Sequence, residues 1–350
     1  MTYNVTPQLA SNGFTVAELF AGGGLMAVGL RAAGYDLVWA NDFDKNAVKA
    51  YGHNLGDHIV HGDITALNID SIPDVDVIAG GPPCQDYSVA GTSAGEEGER
   101  GKLVWRYLEI IERKRPKAFV FENVKGLIMK KHRPTFDALL ERFAAIGYTV
   151  SWRLINAWDY GVAQKRERVF IVGVRADLGF AYVFPEPRPE DYRTQVLRDV
   201  IGDLPEPYAI HAPEERLPAY IQNVVDGKTT TNYGNGIPVN SGDYPARTLI
   251  CEYRAKCPNE VTSINGFPRR FTVRECLRIQ SVPDSYVLPD DISLSAQYRI
   301  VGNGVASRVS YLLGVALAEQ LRTATESNAI GERLISDYPD DCANSRKEAV

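Results

Sequence analysis

A single cysteine follows a predicted sheet strand. Cys84 comes after a Gly-Gly-Pro-Pro run at 80–83, and that run follows apolar residues 75–79 that are typical of a buried strand. Open α/β sheets place their chemistry at the carboxyl ends of strands, where a thiol in a loop can act as a nucleophile. The alternative is a structural cysteine in a tight turn. The prolines and Gln85 favour the nucleophile, because packing a small apolar thiol requires none of them.

A carboxyl group follows a second apolar run. Glu122 comes directly after residues 118–121, and burying a carboxylate there costs desolvation unless it has a partner or a role. On neighbouring parallel strands, Cys84 and Glu122 would face the same crevice. This pair suits one reaction type: the thiolate adds to an electron-poor pyrimidine carbon while the carboxyl helps to protonate the ring nitrogen. The adjacent carbon can then take a methyl group from a sulfonium donor, and elimination restores the thiol.

Three polar residues stand at every second position in the segment that leads into the last predicted strand of this series. On a strand, Gln164, Arg166 and Arg168 would share one face. Such a face could lower a thiol pKa and bind a phosphate or carbonyl group of a target. The alternative is an ordinary salt-bridged surface strand.

A glycine-rich turn at 22–24 separates the first predicted strand from the first helix. Glycines let a backbone approach a ligand closely, and the helix start offers unpaired N–H groups. Asp42 stands 20 residues after Gly22, where an acidic side chain can accept hydrogen bonds from ribose hydroxyls. Phe43 could cover an adenine ring and Asp63 could meet an adenine amino group. The alternative for Asp42 is a helix cap.

Two cofactor classes fit this turn, a nicotinamide dinucleotide and S-adenosylmethionine. The dinucleotide fingerprint requires a third glycine where Ala27 stands. Hydride transfer also has no use for a Pro-Pro-Cys loop. We therefore expect S-adenosylmethionine.

The elements that position these residues alternate between strand and helix, which predicts an α/β fold with a doubly wound, mostly parallel sheet. We predict strands at 15–20, 37–40, near Ile59, and at 75–79, 117–121, 150–155 and 168–174. We predict helices at 25–33, 45–54 and 103–113, one more ending at Gly147, and two late helices at 272–279 and 306–321.

The domain organisation follows from a change in character near residue 177. We predict a catalytic and cofactor-binding domain from residues 1–177 plus 300–323, and a smaller, loop-rich, mainly β domain from residues 178–299. The polar stretch 324–350 is predicted to be a disordered tail.

The amino-acid composition indicates which class of protein this is. The 350 residues are 45% hydrophobic and 23% charged, as in an ordinary globular protein, and we see neither a leader nor a membrane-spanning run. Five scattered cysteines without metal-ligand spacing predict a reduced, metal-free, cytoplasmic protein. The formal net charge is -6, yet residues 244–280 hold seven basic and three acidic residues. Local basic surface of this kind is what phosphate contact needs.

Taken together, these motifs resemble the bacterial-type cytosine-C5 DNA methyltransferase family. The resemblance covers residues 16–174 and 270 to about 321. It rests on motifs in the family's order: Phe20-x-Gly22-x-Gly24, Asp42-Phe43, Gly62-Asp63-Ile64, Gly81-Pro82-Pro83-Cys84-Gln85, Glu122-Asn123-Val124, Gln164-x-Arg166-x-Arg168 and Gly302-Asn303-Gly304-Val305.

The resemblance implies a role for each residue. Cys84 would attack cytosine C6, and Glu122 would contact N3 and the exocyclic amine, supported by Gln164, Arg166 and Arg168. The S-adenosylmethionine pocket would be lined by Phe20, Gly22, Gly24, Asp42, Phe43, Asp63, Ile64, Leu103 and Asn303.

The resemblance also implies partners. The substrate would be duplex DNA with the target base flipped out. Residues 89–101 would form a mobile loop and residues 177–268 would recognise the target sequence. A monomer associated with the nucleoid is implied, with a cognate restriction endonuclease that it does not contact.

The chain departs from the family pattern at Leu25, where a glycine is usual, at Gly304, where a serine is usual, and at Asp42, where many members have glutamate. We expect a modest effect on cofactor affinity. One rival is a tRNA cytosine methyltransferase on the same fold, whose late Cys-Phe-Thr tripeptide is missing here. The others are a catalytically silent DNA-binding homologue, which an intact Cys84 and Glu122 argue against, and a nicotinamide oxidoreductase.

Overall fold

The computed structural model describes residues 7–83, 101–205, 240–250, 261–262 and 269–336. Seven strands form one sheet in the order β3-β2-β1-β4-β5-β7-β6. Its strands are β1 Thr15–Leu19, β2 Asp36–Asp42, β3 Ile59–His61, β4 Val77–Gly80, β5 Ala118–Val124, β6 Tyr148–Asn156 and β7 Glu167–Arg175. The helices are α1 Leu25–Ala32, α2 Lys45–Leu55, α3 Gly101–Lys114, α4 Arg133–Ala145, α5 Leu197–Ile201, α6 Val273–Ile279, α7 Leu294–Asn303 and α8 Ser307–Ser336.

The sheet is mostly parallel, as predicted. The pairs β1–β2, β2–β3, β1–β4 and β4–β5 are parallel, whereas β7 runs antiparallel to both β5 and β6. The strand order reverses between β1 and β4, and ligands of open α/β sheets bind in the crevice at such a switch point. The glycine turn after β1 and the Pro-Pro turn after β4 both open onto this crevice.

Helix α1 lies against the sheet because nearly all of its residues are apolar, and Arg31 alone in it is not buried. Its other neighbour is α8. A Cβ atom on Gly29 would lie 2.1 Å from the carbonyl oxygen of Ser307, so only glycine permits this helix–helix approach. Residues of α1 and α8 share one core with β1, β4, β5 and β7. The first helix is thereby fixed, and with it the glycine turn at its start.

Three helical features differ from the sequence-based prediction. Helices α5 and α7 were not expected, because their apolar residues follow prolines and polar turns that suggested loops. Helix α8 continues to Ser336, 15 residues past its predicted end at Leu321, and a disordered tail over residues 324–350 stays a prediction. The stretch Leu294–Glu326 is apolar and long enough to cross a membrane, but 78% of its most apolar window is buried inside the protein.

The predicted smaller domain is described only in part. Tyr182 and Phe184 pack in the same core as α8. Phe271 and Tyr286 belong to a second core shared with α1 and α2. Strands β8 Val261–Thr262 and β9 Arg269–Arg270 pair antiparallel. A separate domain over residues 178–299 stays a prediction, since residues 206–239 and 251–260 lie outside the described part.

Candidate active site

The turn that leads to Cys84 packs against Glu122. Strands β4 and β5 pair Gly80 with Phe121, so the chain leaves both strands side by side. A Cβ atom on Gly81 would lie 2.7 Å from a Glu122 carboxylate oxygen, and the Asn123 side chain donates to the Pro82 carbonyl at 3.0 Å. Cys84 itself lies outside the described residues, so its approach to Glu122 stays a prediction. The described part of the turn therefore passes beside Glu122 and Asn123.

Glu122 is paired with Arg168 across the strands. Register places Glu122 opposite Phe170, and Arg168 is therefore its diagonal neighbour on the same face. The Arg168 Nε lies 3.0 Å from Glu122 Oε1, and the two side chains are 17% and 12% exposed. Burial raises the pKa of Glu122, while the positive charges of Arg168 and Arg166 offset part of that rise. A carboxyl group in this setting can hold a proton or a strong hydrogen bond.

Gln164 and Arg166 do not share a strand face with Arg168, so that part of the prediction is wrong. Strand β7 begins at Glu167, because the preceding chain turns to pair with residues near Ala246. The amide oxygen of the fully buried Gln164 accepts from the Leu249 backbone N–H at 3.2 Å.

Arg166 joins three parts of the chain. Its guanidinium donates to the carbonyl oxygens of Leu249 at 3.3 Å, Gly302 at 3.1 Å and Gly304 at 2.8 Å. The side chain is only 3% exposed. It therefore links the β7 approach to the end of α7 and to Leu249, which lies within the range predicted for the smaller domain. The geometry makes it a positioning residue.

A cavity of about 460 Å³ opens beside the Glu122–Arg168 pair. Three of its lining residues are basic: Lys125, Lys165 and Arg168. Glu167 also lines it and forms an ion pair with Lys125 at 2.9 Å. The remaining lining residues are Val124, Gly126, Asn156 and Thr248. The cavity thus lies between the sheet edge and Thr248, which belongs to the range predicted for the smaller domain, and its three cations outnumber its one carboxylate.

The glycine turn is built for close backbone approach. Gly22 and Gly24 have positive φ values of 55° and 80°, a conformation that side chains disfavour. A Cβ atom on Gly23 would lie 2.4 Å from Ile300, and one on Gly24 would lie 2.3 Å from Leu55. Phe20, which precedes the turn, also has a positive φ of 56°. The turn therefore leaves no room for a side chain at Gly23 or Gly24, whereas a Cβ atom on Gly22 would meet nothing within 4 Å.

Asp42 is tied to the turn and does not cap a helix. Its Oδ2 accepts from the Gly22 backbone N–H at 2.8 Å, and its Oδ1 accepts from Asp44 N–H at 2.8 Å. The cap of α2 is Asp44, which accepts from Asn46 and Ala47. Burial raises the pKa of Asp42 despite these bonds. The neighbouring Phe43 ring is 74% exposed and is available to cover a flat ligand.

A functional candidate that the sequence reasoning missed is Glu18. It lies buried in β1, and its Oε2 has no hydrogen-bond partner within the described part of the chain. Burial, and secondly the charge of Asp42, raise the pKa of Glu18 well above its ordinary value of 4.5. The available signal was an acidic residue inside an otherwise apolar strand. An unsatisfied buried carboxylate fits a cationic group such as the ammonium of an amino-acid-like ligand.

The other predicted cofactor residues surround the same edge of the sheet. Asp63 is exposed and accepts from Thr65 N–H at 2.9 Å, and the Ile64 carbonyl accepts from Arg106 at 3.0 Å. Leu103 packs partly buried in α3, and Asn303 is the exposed last residue of α7. A common pocket for all of them stays a prediction. The buried acid, the crowded glycines and the exposed ring fit S-adenosylmethionine.

The sequence of this chain matches a known protein family. Residues 14–319 match the family model for C-5 cytosine-specific DNA methylase. Type II methyltransferase M.MthTI of Methanothermobacter thermautotrophicus is 35% identical over 87% of this chain and 97% of its own length. Type II methyltransferase M.FnuDI of Fusobacterium nucleatum is 33% identical over 87% and 94%.

Solved structures share the fold. The structure of S. pombe Dnmt2 methyltransferase superposes with a TM-score of 0.67 at 18% identity, covering 87% of this chain and 98% of that one. A mutant of Spodoptera frugiperda DNMT2 gives a TM-score of 0.67 at 20% identity, covering 87% and 100%. At these identities the likeness concerns the fold alone.

Proposed function

The chain belongs to the C-5 cytosine-specific DNA methylase family, and we propose that it methylates a flipped-out cytosine in a specific short sequence of duplex DNA through a covalent Cys84 adduct. Family membership makes it a DNA cytosine-C5 methyltransferase, with S-adenosylmethionine as the implied methyl donor. Flipping, the adduct and sequence specificity are the proposed steps. A base stacked in a duplex hides C6 from any thiol, so flipping must precede the chemistry.

The reaction begins at the turn beside Glu122. The Cys84 thiolate forms a bond to cytosine C6, and Glu122 supports that addition by a hydrogen bond or proton at N3. Arg168, 3.0 Å from the carboxylate, orients it. Electron density then gathers at C5, which would form its bond to the methyl group as the bond from that group to the sulfonium sulfur of the donor breaks. A base or a water molecule takes the C5 proton, the sulfur–C6 bond breaks, and the ring double bond and the thiolate are restored.

S-adenosylmethionine supplies the electrophilic methyl group when bound. The glycine turn brings backbone N–H groups close to it, and Asp42 can accept from its ribose hydroxyls. Phe43 can stack on the adenine, and Glu18 can accept from the ammonium. Phe20, Asp63, Ile64, Leu103 and Asn303 complete the proposed pocket.

The DNA side of the site is proposed to be shared between two domains. Residues 178–299 would read the target sequence by contacts to base edges. Arg166 and Gln164, which bind the backbone of Leu249, would keep that region in register with Glu122. We propose that the protein acts as a monomer on DNA in the cytoplasm. We also propose that a cognate restriction endonuclease recognises the same DNA sequence without contacting this protein.

The observation that carries the proposal is the Glu122–Arg168 pair, which packs against the turn entering Cys84. The test is a transfer assay with tritiated S-adenosylmethionine and the full-length protein, with random-sequence duplex DNA and bulk tRNA in separate reactions. We expect label in DNA. Label in tRNA alone would identify an RNA methyltransferase, and DNA binding without label would identify a silent homologue. Either result would reject the proposal.

A further inference from the structure

We propose that the turn joining β5 to α4, residues 129–133, is a second contact surface for the DNA backbone outside the target base pair. We call it the basic turn. The inference rests on the proposed function, since it assumes a duplex bound at Glu122. It assigns phosphate contacts to Lys130 and Lys131, residues of a segment that the sequence analysis did not single out.

Three of the described arginines that were expected to form the DNA surface are buried or ion-paired within the protein. Among residues 244–280, Arg270 is 3% exposed and Arg278 is 7% exposed. Arg278 binds Asp203 and Asp284, each at 2.6 Å, and Arg274 lies 3.5 Å from Asp284. These side chains hold α6 and its neighbours together. Of the described arginines in that segment, Arg247 is exposed and remains a candidate for a phosphate.

The basic turn carries two positive charges that no ion pair with a described residue neutralises. Lys130 and Lys131 are both exposed, and neither has an ion pair with any residue that the structure describes. By contrast, Arg133 binds Asp137 at 2.8 Å and lies over the rings of Phe136 and Trp152. Two adjacent ammonium groups repel each other, and a polyanion relieves that repulsion.

The backbone of the basic turn is fixed. Met129 N–H donates to the Gly126 carbonyl at 3.1 Å, and His132 N–H donates to the Met129 carbonyl at 2.8 Å. The short helix that precedes it, Lys125–Ile128, packs its Leu127 into the core under α3 and α4. Lys130 and Lys131 are therefore presented from a rigid support, which lowers the entropic cost of binding.

The turn lies on the edge of the sheet where the chemistry is proposed. Strand β5 delivers Glu122 to that edge and continues through Lys125, which lines the cavity with Lys165 and Arg168. Lys130 is two residues past the Lys125–Ile128 helix, a reach of about 7 Å at most. The basic turn thus follows the cavity cation Lys125 closely in the chain, since Lys130 is five residues after it. A duplex carries a phosphate about every 1.7 Å of its axis, so one centred on Glu122 can reach both.

The test compares Lys130→Gln/Lys131→Gln with a matched loss of two charges, Arg142→Gln/Arg322→Gln. Arg142 lies in the last turn of α4 and Arg322 in α8, both exposed and away from the carboxyl edge of the sheet. The full-length proteins are titrated with a random-sequence duplex at several KCl concentrations, and thermal melting confirms that each variant is folded.

We expect the slope of log affinity against log salt to fall by about 2 in the lysine variant, because each lost phosphate contact removes about 0.9. Affinity at low salt should fall on the order of 10-fold, while kcat at saturating DNA stays unchanged. The arginine variant should match the wild type. Equal slopes in all three proteins, or equal losses in both variants, would overturn the inference. A wild type that neither binds nor labels DNA would instead reject the proposed function, and this inference with it.

Discussion

The Nε of Arg168 lies 3.0 Å from Oε1 of Glu122, and both side chains are largely buried at the edge where β5 and β7 meet. A buried carboxylate without a partner would be costly. The pair therefore keeps a titratable group at a crevice without unfolding the sheet, and it fixes the direction in which the carboxyl points. This is the arrangement that an acid-base role at a bound ring nitrogen needs.

Replacing Glu122 by glutamine should slow turnover by about 10²- to 10⁴-fold, because the positioned proton donor is lost while shape is kept. Binding of duplex DNA and of S-adenosylmethionine should be retained. Single-turnover methyl transfer measures the effect. Glu167→Gln is the matched control, since Glu167 adjoins Arg168 but pairs with Lys125 at 2.9 Å. A near-wild-type rate for Glu122→Gln would mean that the carboxyl is structural.

Glu18→Gln should stabilise the cofactor-free protein at neutral pH. Burial raises the pKa of Glu18 above 4.5, so the folded state binds the proton more tightly than the unfolded state. The contribution of Glu18 to the stability of the folded protein is then fully present below pH 4.5 and is lost as the pH rises through the raised pKa. Glutamine carries no such penalty. The Tm difference between variant and wild type should therefore be positive at neutral pH and vanish towards pH 4. A difference that is constant with pH would contradict this account.

Phe43→Ala should weaken S-adenosylmethionine binding without changing stability. The ring is 74% exposed, so its removal leaves no cavity, whereas loss of a base–aromatic stack costs about 1–3 kcal/mol. Calorimetry should show an affinity lower by about 5- to 150-fold. The control is Val183→Ala, which removes a side chain that is 69% exposed on another part of the chain. Equal affinities for Phe43→Ala and the wild type would remove Phe43 from the pocket.

Arg166→Gln should lower the free energy of unfolding by about 1–3 kcal/mol, because buried carbonyl oxygens lose their donor. Cofactor affinity should fall as well, since two of those carbonyls belong to Gly302 and Gly304 beside Asn303. Denaturant unfolding and calorimetry measure the two effects. Arg198→Gln, which breaks an exposed pair with Asp243, should have little effect on either. An Arg166 variant that matches Arg198→Gln would show that the three contacts contribute little.

Local patterns predicted much of this fold. The apolar runs placed β1 to β5 within a few residues, because buried parallel strands read as continuous hydrophobic segments, and they placed the antiparallel strands β6 and β7 equally well. The motifs predicted Glu122 directly after a strand that ends at residue 121, whereas β5 continues past Glu122 to Val124.

Other features depended on contacts between distant parts of the chain. Because side chains alternate along a strand, Gln164 and Arg166 were predicted to lie on the same strand face as Arg168. Instead, the segment before β7 pairs with residues near Ala246 and leaves the line of the strand. Net charge along residues 244–280 suggested a DNA surface, although Arg278 is held by Asp203, which lies 75 positions earlier in the sequence. The buried Glu18 was missed because nothing in a short apolar strand shows that one carboxylate oxygen will lack a partner.

The covalent step is the central claim, and trapping tests it most directly. The wild type and Cys84→Ser are incubated with S-adenosylmethionine and a duplex pool in which 5-fluorocytosine replaces cytosine. Fluorine at C5 cannot leave as a proton does, so elimination stalls after methyl transfer. The account predicts a denaturation-resistant protein–DNA adduct with the wild type and none with Cys84→Ser, which still binds DNA. An adduct of equal yield in Cys84→Ser, or full methylation of ordinary DNA by that variant, would contradict it.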